Sequence, residues 1–205
     1  MRSLLGLPAC LCLLCAGTSC AGPSSVTEVW SGVAEFKQEA ASNAMDAAIR
    51  EQGRSEGVPM PTVFLHPNSE GEAVLRYTVK LPAIGEDQRL IFSAWPGLSD
   101  GAGIDSKEHP FDGVGIGARI GETLLFRTLV TAFGWRQYVL DLARWAGQTV
   151  ELCLVTDSGG KGNASYDWAQ IGSPTIYLLS GNALAAGAAE GTAGVVFADC
   201  QSAAE

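Results

Sequence analysis

Tyr166, Asp167 and Trp168 are consecutive residues between a glycine-rich turn and Pro174. An aromatic ring can stack on the apolar face of a sugar, and a carboxylate can accept hydrogen bonds, carry a proton or bind a cation. The same residue types at the end of a strand also serve as packing. The cluster is therefore compatible with an active site, a sugar-binding surface or a structural anchor.

Candidates for catalysis are few. The two histidines, His66 and His109, are each followed directly by proline in a turn-like setting. No nucleophile elbow, HExxH zinc motif or phosphate-binding loop occurs. The 22 acidic residues always allow some pair at the separation needed for glycoside hydrolysis, so such a pair carries no information. We therefore predict a protein that is not an enzyme.

An acidic loop between residues 99 and 113 is a candidate metal site. Calcium prefers six to eight oxygen ligands, and carboxylates close together in a loop can supply several of them. The spacing is not that of an EF-hand, and a solvated loop with turn-forming aspartates is the alternative. The candidate calcium ligands are Asp100, Asp105, Glu108 and Asp112.

Sugar binding requires an exposed aromatic face and planar polar groups for the hydroxyls. Residues of these types at predicted loops or strand ends are the candidate ligand-binding residues. They are Trp95, His109, Trp145, Asn163 and Tyr166. We assign Trp135 and Trp168 to the core, and we expect Asp141 to accept a local backbone hydrogen bond.

The pattern of the chain predicts one domain of short strands. In residues 73–81, Leu75, Tyr77, Val79 and Leu81 alternate with polar or smaller side chains, which indicates a half-buried strand. Similar segments separated by Gly, Asp and Pro turns continue to residue 179. We predict an all-β, antiparallel jelly-roll β-sandwich over residues 61–180. Apolar positions in residues 33–50 predict a short helix in an N-terminal segment, 21–60. The Ala- and Gly-rich tail, 181–205, is expected to be poorly ordered.

The N-terminus predicts export. Residues 1–20 have one early positive charge, an apolar run and then small residues, the layout of a secretory signal. Cleavage near Ser19 would release a secreted chain, whereas lipidation of Cys20 would anchor it to the outer face of a bacterial membrane. Cys153 and Cys200 could pair in such a compartment, or Cys153 could be a small buried residue. The net charge of −9 argues against nucleic acid and anionic membrane surfaces as partners.

Several short motifs follow one another between residues 111 and 177. They are DGV at 112–114, Trp135 followed by DL at 141–142 and AG at 146–147, TVELCLVTD at 149–157, and YDWA at 166–169 followed by Gly172, Pro174 and Ile176. Together they resemble the galactose-binding-like β-sandwich of carbohydrate-binding modules associated with bacterial glycoside hydrolases, over residues 61–179.

This resemblance implies a non-catalytic module that binds a carbohydrate or cell-surface glycan, and a structural calcium in the acidic loop. No complete set of sugar-contacting residues matches, and a fold by itself does not determine a ligand. A structural or adhesion module that docks a protein partner is the alternative, and a small hydrolase is a third. The only contact with a membrane that we expect is through a lipid anchor on Cys20.

Overall fold

A computed structural model describes residues 25–105, 107, 111–159 and 162–181, and the backbone of residues 196–197. Its strands are β1 (Ser25–Ser31), β2 (Ala41–Ser42), β3 (Ala44–Ser55), β4 (Val58–Pro67), β5 (Ala73–Lys80), β6 (Gln88–Leu98), β7 (Val114–Ile120), β8 (Thr123–Val130), β9 (Tyr138–Asp141), β10 (Thr149–Asp157), β11 (Ala169–Ser180) and β12 (Val196–Phe197). Two single-turn 3-10 helices cover Gln38–Ala40 and Ala143–Trp145.

The strands form two sheets that pack face to face. The larger sheet has the order β12-β9-β6-β11-β4-β3, and β1 also pairs with β11. The smaller sheet has the order β2-β5-β10-β7-β8. All pairings are antiparallel except that of β12 with β9. This architecture confirms the predicted all-β sandwich.

The core lies between the sheets and follows the period-two alternation. In β5, Leu75, Tyr77 and Val79 are buried, whereas Arg76 and Lys80 are exposed. Fully buried side chains come from both sheets, and each contributes about 1.5–3 kcal/mol to folding through burial. They include Leu75, Leu90, Phe92, Ile116, Leu154 and Ile176.

The predicted helix over residues 33–50 is wrong. Residues 44–50 lie in β3, where Ala48 pairs with Phe64 and Ile49 with Val63. Glu56 and Gly57 have φ angles of 53° and 74°, and a two-residue turn of this kind joins β3 to β4. Pairing with β4 overrides the weak helix propensity of the alanines, because propensity differences amount to only tenths of a kcal/mol per residue. Gly57 thus lies in the turn of a β-hairpin rather than beyond the end of a helix.

Several expectations fall outside the described residues. These are the export signal at 1–20 with Cys20, the pairing of Cys153 with Cys200, which is itself outside those residues, and the tail apart from residue 181 and β12. Cys153 is buried with a free thiol, and burial, reinforced by Glu151, raises its pKa. Within the described ranges, no helix has the length and apolar character needed to cross a membrane.

Candidate functional site

Four connections meet at one end of the sandwich, which we call the loop end. They are the β3–β4 turn, the β6–β7 loop, the β8–β9 loop and the β10–β11 loop. In the β6–β7 loop, the Asp100 carboxylate accepts hydrogen bonds from the N–H groups of Glu56 (2.6 Å) and Gly57 (2.9 Å) of the β3–β4 turn. Ser99 N–H donates to the carbonyl of Trp168 at 2.9 Å, which links the β6–β7 loop to the β10–β11 loop.

The β8–β9 loop closes a cleft of about 320 Å³ at the loop end, which we call the tryptophan cleft. Its walls are Glu56, Pro96 and residues 128–136. Trp135 is half-buried in this wall, and its indole Nε1 donates a hydrogen bond to the carbonyl of Val58 at 2.9 Å. The ring packs against Gly97, where an added Cβ would lie 2.5 Å from Cε3. Gly97 thus leaves the space that the indole needs.

The β8–β9 loop is held in place by its backbone as well. Gly134 N–H donates to Ser55 Oγ at 2.8 Å, and Arg136 N–H donates to the carbonyl of Pro96 at 3.2 Å. Gly134 has φ = +112°, a backbone conformation that a side chain would strain. Together with the indole bond to Val58, hydrogen bonds to β3, β4 and β6 therefore fix the position of Trp135.

Charged groups accompany the ring in the tryptophan cleft. Glu56 Oε2 lies 3.2 Å from the position that a Cβ on Gly134 would occupy, and both Glu56 and Arg136 are exposed. An aromatic face, a carboxylate and a guanidinium in one cleft can stack on an apolar face of a ligand while hydrogen-bonding its hydroxyls.

The cluster at residues 166–168 is mainly structural. Tyr166 and Trp168 are half-buried and pack over the β6–β7 loop. A Cβ on Gly103 would lie 2.8 Å from the Tyr166 ring, and one on Gly101 would lie 2.7 Å from the Trp168 ring. Each glycine therefore leaves the space that one aromatic ring occupies. Trp168 packs against the core, which confirms its predicted assignment to the core.

Asp167, between these rings, is fully buried and both of its carboxylate oxygens lack a hydrogen-bond partner in the described part of the chain. Both carboxylate oxygens of Asp112 are also buried and lack a hydrogen-bond partner among the described residues. Burial, followed by the neighbouring charges of Asp112 and Asp157, raises the pKa of Asp167 to about 7. Asp157 differs because it is paired with the guanidinium of Arg127 at 2.6 Å.

These orphaned oxygens fit a hard cation better than the predicted four-residue set does. Both carboxylate oxygens of Asp100 are engaged by the hairpin turn, Asp105 is exposed, and Glu108 lies outside the described residues. Among the described members of that set, only Asp112 presents buried, unpaired oxygens. No group of three or more His, Cys, Asp or Glu side chains suited to a metal occurs in the ranges that the structure describes. A cation would therefore need backbone carbonyls or water besides Asp112 and Asp167.

The other sugar candidates are scattered. Trp145 is 7 % exposed, and Arg144 lies 4.1 Å from its ring centroid, so its ring offers no open platform. Trp95 is half-buried in β6 with its Cβ close to Gly172. His109 lies outside the described residues. Asn163 lines a second hollow of about 400 Å³ with His66, whose Nε2 is 3.0 Å from the carbonyl of Ala164.

The predicted assignment of Trp135 to the core is wrong, since its half-buried ring lines an open cleft. Glu56 was also absent from the predicted site. The one local signal is the pair Phe133 and Trp135 in a loop, flanking a glycine. Asp141 behaves as expected, accepting a hydrogen bond from Ala143 N–H at 2.6 Å.

No family model and no curated protein sequence matches the chain. Its structure is similar to tandem CBM51 modules of Sp3GH98, the family 98 glycoside hydrolase from Streptococcus pneumoniae SP3-BS71, with a TM-score of 0.50 and 9% identity over 76% of this chain and 48% of that one.

Two Clostridium perfringens structures are also similar. A CBM51 from GH95 in complex with methyl-galactose gives a TM-score of 0.49 and 16% identity, over 75% of this chain and 99% of that one. The M60 catalytic domain with two CBM51 domains from ZmpB gives 0.46 and 18%, over 69% of this chain and only 14% of that one. The likeness to the tandem modules confirms the fold that the sequence motifs indicate.

Proposed function

We propose that this protein is a non-catalytic glycan-binding module whose tryptophan cleft holds a sugar ring. The observation that carries the proposal is the position of Trp135, which is half-buried, fixed through its indole N–H and lines the same cleft as Glu56 and Arg136. A rigid aromatic ring loses little conformational entropy on binding, and flanking charged groups supply hydrogen bonds to hydroxyls.

The fold supports this proposal by analogy. The tandem CBM51 modules with the same β-sandwich belong to a glycoside hydrolase. A shared fold hosts many functions, so the cleft, rather than the fold, supports glycan binding. The absence of a recognisable catalytic motif in the sequence agrees with a module that binds without turnover.

Calcium is part of the proposal. Asp112 and Asp167 would hold it, because their buried oxygens otherwise lack partners. Bound there, the cation supplies positive charge that offsets the burial of two carboxylates and ties the β6–β7 loop to the β10–β11 loop. Its role is structural.

Export belongs to the same proposal. Residues 1–20 direct the chain out of the cytoplasm, either secreted or anchored through Cys20 to the outer face of a bacterial membrane. That location would bring the module to extracellular or cell-surface glycans. Docking to a protein partner is the competing function, and hydrolysis through the acidic loop is another.

The test is a glycan array followed by calorimetry on the ligands that bind. We expect Trp135→Ala to weaken binding at least tenfold. Asn163→Ala, in the second hollow, and Val26→Ala, at an exposed position of β1, serve as matched controls and should bind as the parent protein does.

Three outcomes would count against the proposal. Loss of binding in Asn163→Ala with full binding in Trp135→Ala would move the site to the second hollow. Retention of a surface protein and of no glycan would favour the docking module. Turnover that disappears in Asp105→Asn or Asp112→Asn would favour the hydrolase.

A further inference from the structure

A cavity of about 440 Å³, larger than the tryptophan cleft, lies where β1 of the larger sheet approaches β5 of the smaller sheet. We call it the basic cavity. It is bordered by β1, by the connection that crosses from β1 to β2, and by β5. Its lining residues are Val29, Trp30, Glu35, Lys37, Ala40 and residues 76–80.

The basic cavity is distinct from the tryptophan cleft. In β10, Thr156 pairs with Ala73, and Asp157 leads into the loop end. Thr149, at the opposite end of β10, pairs with Lys80. The Lys80 end of β5 is therefore the end remote from the loops that form the tryptophan cleft.

The floor of the cavity is rigid. Trp30 and Tyr77 are both more than nine-tenths buried and meet edge to face, with ring centroids 4.8 Å apart. Tyr77 Oη donates a hydrogen bond to the carbonyl of Gly32 at 2.9 Å. Burial raises the pKa of Tyr77 beyond its ordinary range, so the hydroxyl stays protonated.

One edge of β5 is open beside this floor. β2 pairs only with Leu75 and Val74, while β10 pairs with β5 along its whole length. Past Leu75, that edge has no strand neighbour among the described residues. Backbone N–H and C=O groups on an unpaired edge are available to a ligand's hydroxyls.

The charge at this cavity is opposite to that of the whole chain. Lys37, Arg76 and Lys80 line it against a single acid, Glu35. The chain has 13 basic and 22 acidic residues, so three cations around one cavity are a local excess. Within the described ranges, no carboxylate lies within 4.0 Å of any of the three cationic groups. Arg76 is oriented by a hydrogen bond from its Nη1 to Ser42 Oγ at 2.7 Å.

We propose that the basic cavity is a second ligand site, which takes the carboxylate or sulfate ester of an acidic saccharide. The three cations neutralise the anionic group, and the open edge of β5 with Thr78 bonds the hydroxyls. The net charge of −9 disfavours an extended anionic surface such as a membrane or a nucleic acid, whereas a small ligand enters the local positive field. The volume lies within the range typical of small-molecule sites.

The experiment is calorimetric titration of the full chain with oligogalacturonate and with galactose 6-sulfate. Unsubstituted galactose and sodium sulfate are the comparison probes. We expect binding of at least one acidic saccharide, weakened at least tenfold in the Lys37→Gln, Lys80→Gln double variant. Both lysines are exposed, so the variant keeps the core, and circular dichroism verifies folding.

Further variants separate this site from the tryptophan cleft. Glu35→Gln removes the only acid of the lining and should strengthen binding of the acidic saccharide. Trp135→Ala should leave that binding unchanged, even though it removes binding of a neutral glycan if the proposed function holds. Failure of the one site is thereby distinguishable from failure of the other.

Several results would overturn the inference. One is the absence of binding by both acidic saccharides. Another is binding that the lysine double variant leaves unaltered. Binding of sodium sulfate that is as tight as that of the acidic saccharides would show an anion site with no saccharide specificity.

Discussion

The indole N–H of Trp135 reaches across the loop end to the carbonyl of Val58, which lies 77 residues earlier in the chain. This bond joins the β8–β9 loop to the start of β4. The orientation of the ring in the tryptophan cleft therefore depends on the β3–β4 hairpin as well as on its own loop. The hairpin and the loop should thus be coupled in both stability and binding.

Trp135→Phe tests that coupling. The variant retains an aromatic ring but cannot donate a hydrogen bond to Val58. We expect a loss of about 1 kcal/mol in the free energy of unfolding, and roughly fivefold weaker glycan binding, from the missing bond and a freer ring. Chemical denaturation and calorimetry measure the two quantities. Stability and affinity equal to those of the parent protein would show that the bond does not position the ring.

Asp100→Ala should loosen the hairpin turn. The carboxylate accepts the N–H groups of both Glu56 and Gly57, and both residues have positive φ angles. Because Asp100 is exposed, we expect a moderate loss of about 1 kcal/mol in the free energy of unfolding, with weaker binding in the adjacent cleft. Asp105→Ala is the matched control, since that side chain is exposed. Equal melting temperatures for the two variants would contradict a role for Asp100 in holding the turn.

The two sheets are predictable from the sequence because alternation in segments such as β5 requires one buried face. The alanines of β3 are misleading, since their spacing fits a helix and only pairing with β4 selects a strand. The half-buried position of Trp135 in the tryptophan cleft is beyond local sequence reasoning. It depends on the absence of a side chain at Gly97 and on the carbonyl of Val58, both far away in the chain. Burial of Trp145 likewise arises from packing between elements.

Gly103→Ala should displace Tyr166. An added Cβ at residue 103 would lie 2.8 Å from the Tyr166 ring, closer than such atoms approach. Because Tyr166 already has φ = +66°, its backbone has little freedom to yield. We expect a loss of about 1–3 kcal/mol from overpacking, measured by denaturation. Gly85→Ala serves as the control, because its nearest neighbour would be at 3.5 Å. An unchanged stability in Gly103→Ala would contradict close packing of Tyr166.

Calcium should raise the melting temperature at pH 8, and a chelator should reverse the rise. The expected ligands are Asp112 and Asp167, whose buried oxygens lack partners in the described part of the chain. Asp167→Asn keeps the shape of the side chain but removes its charge, so the stabilisation by calcium should fall sharply. Asp105→Asn should respond to calcium as the parent does. A full response in Asp167→Asn would place any calcium elsewhere.

Without calcium, the stability of the protein should depend on pH through Asp167. Burial, Asp112 and Asp157 raise the pKa of this residue to about 7 in the folded state, whereas an aspartate in the unfolded chain titrates near ~3.9. The folded state therefore binds the proton more tightly. The resulting stabilisation is complete below the unfolded pKa and is lost as the pH rises through about 7. Denaturation in chelator at pH 5.5 and pH 8 should show greater stability at the lower pH. Asp167→Asn should reduce this difference in stability, because it removes the contribution of Asp167. The difference should not vanish, since other titrating groups remain. A difference of the same size in the variant would assign the pH dependence to other carboxylates.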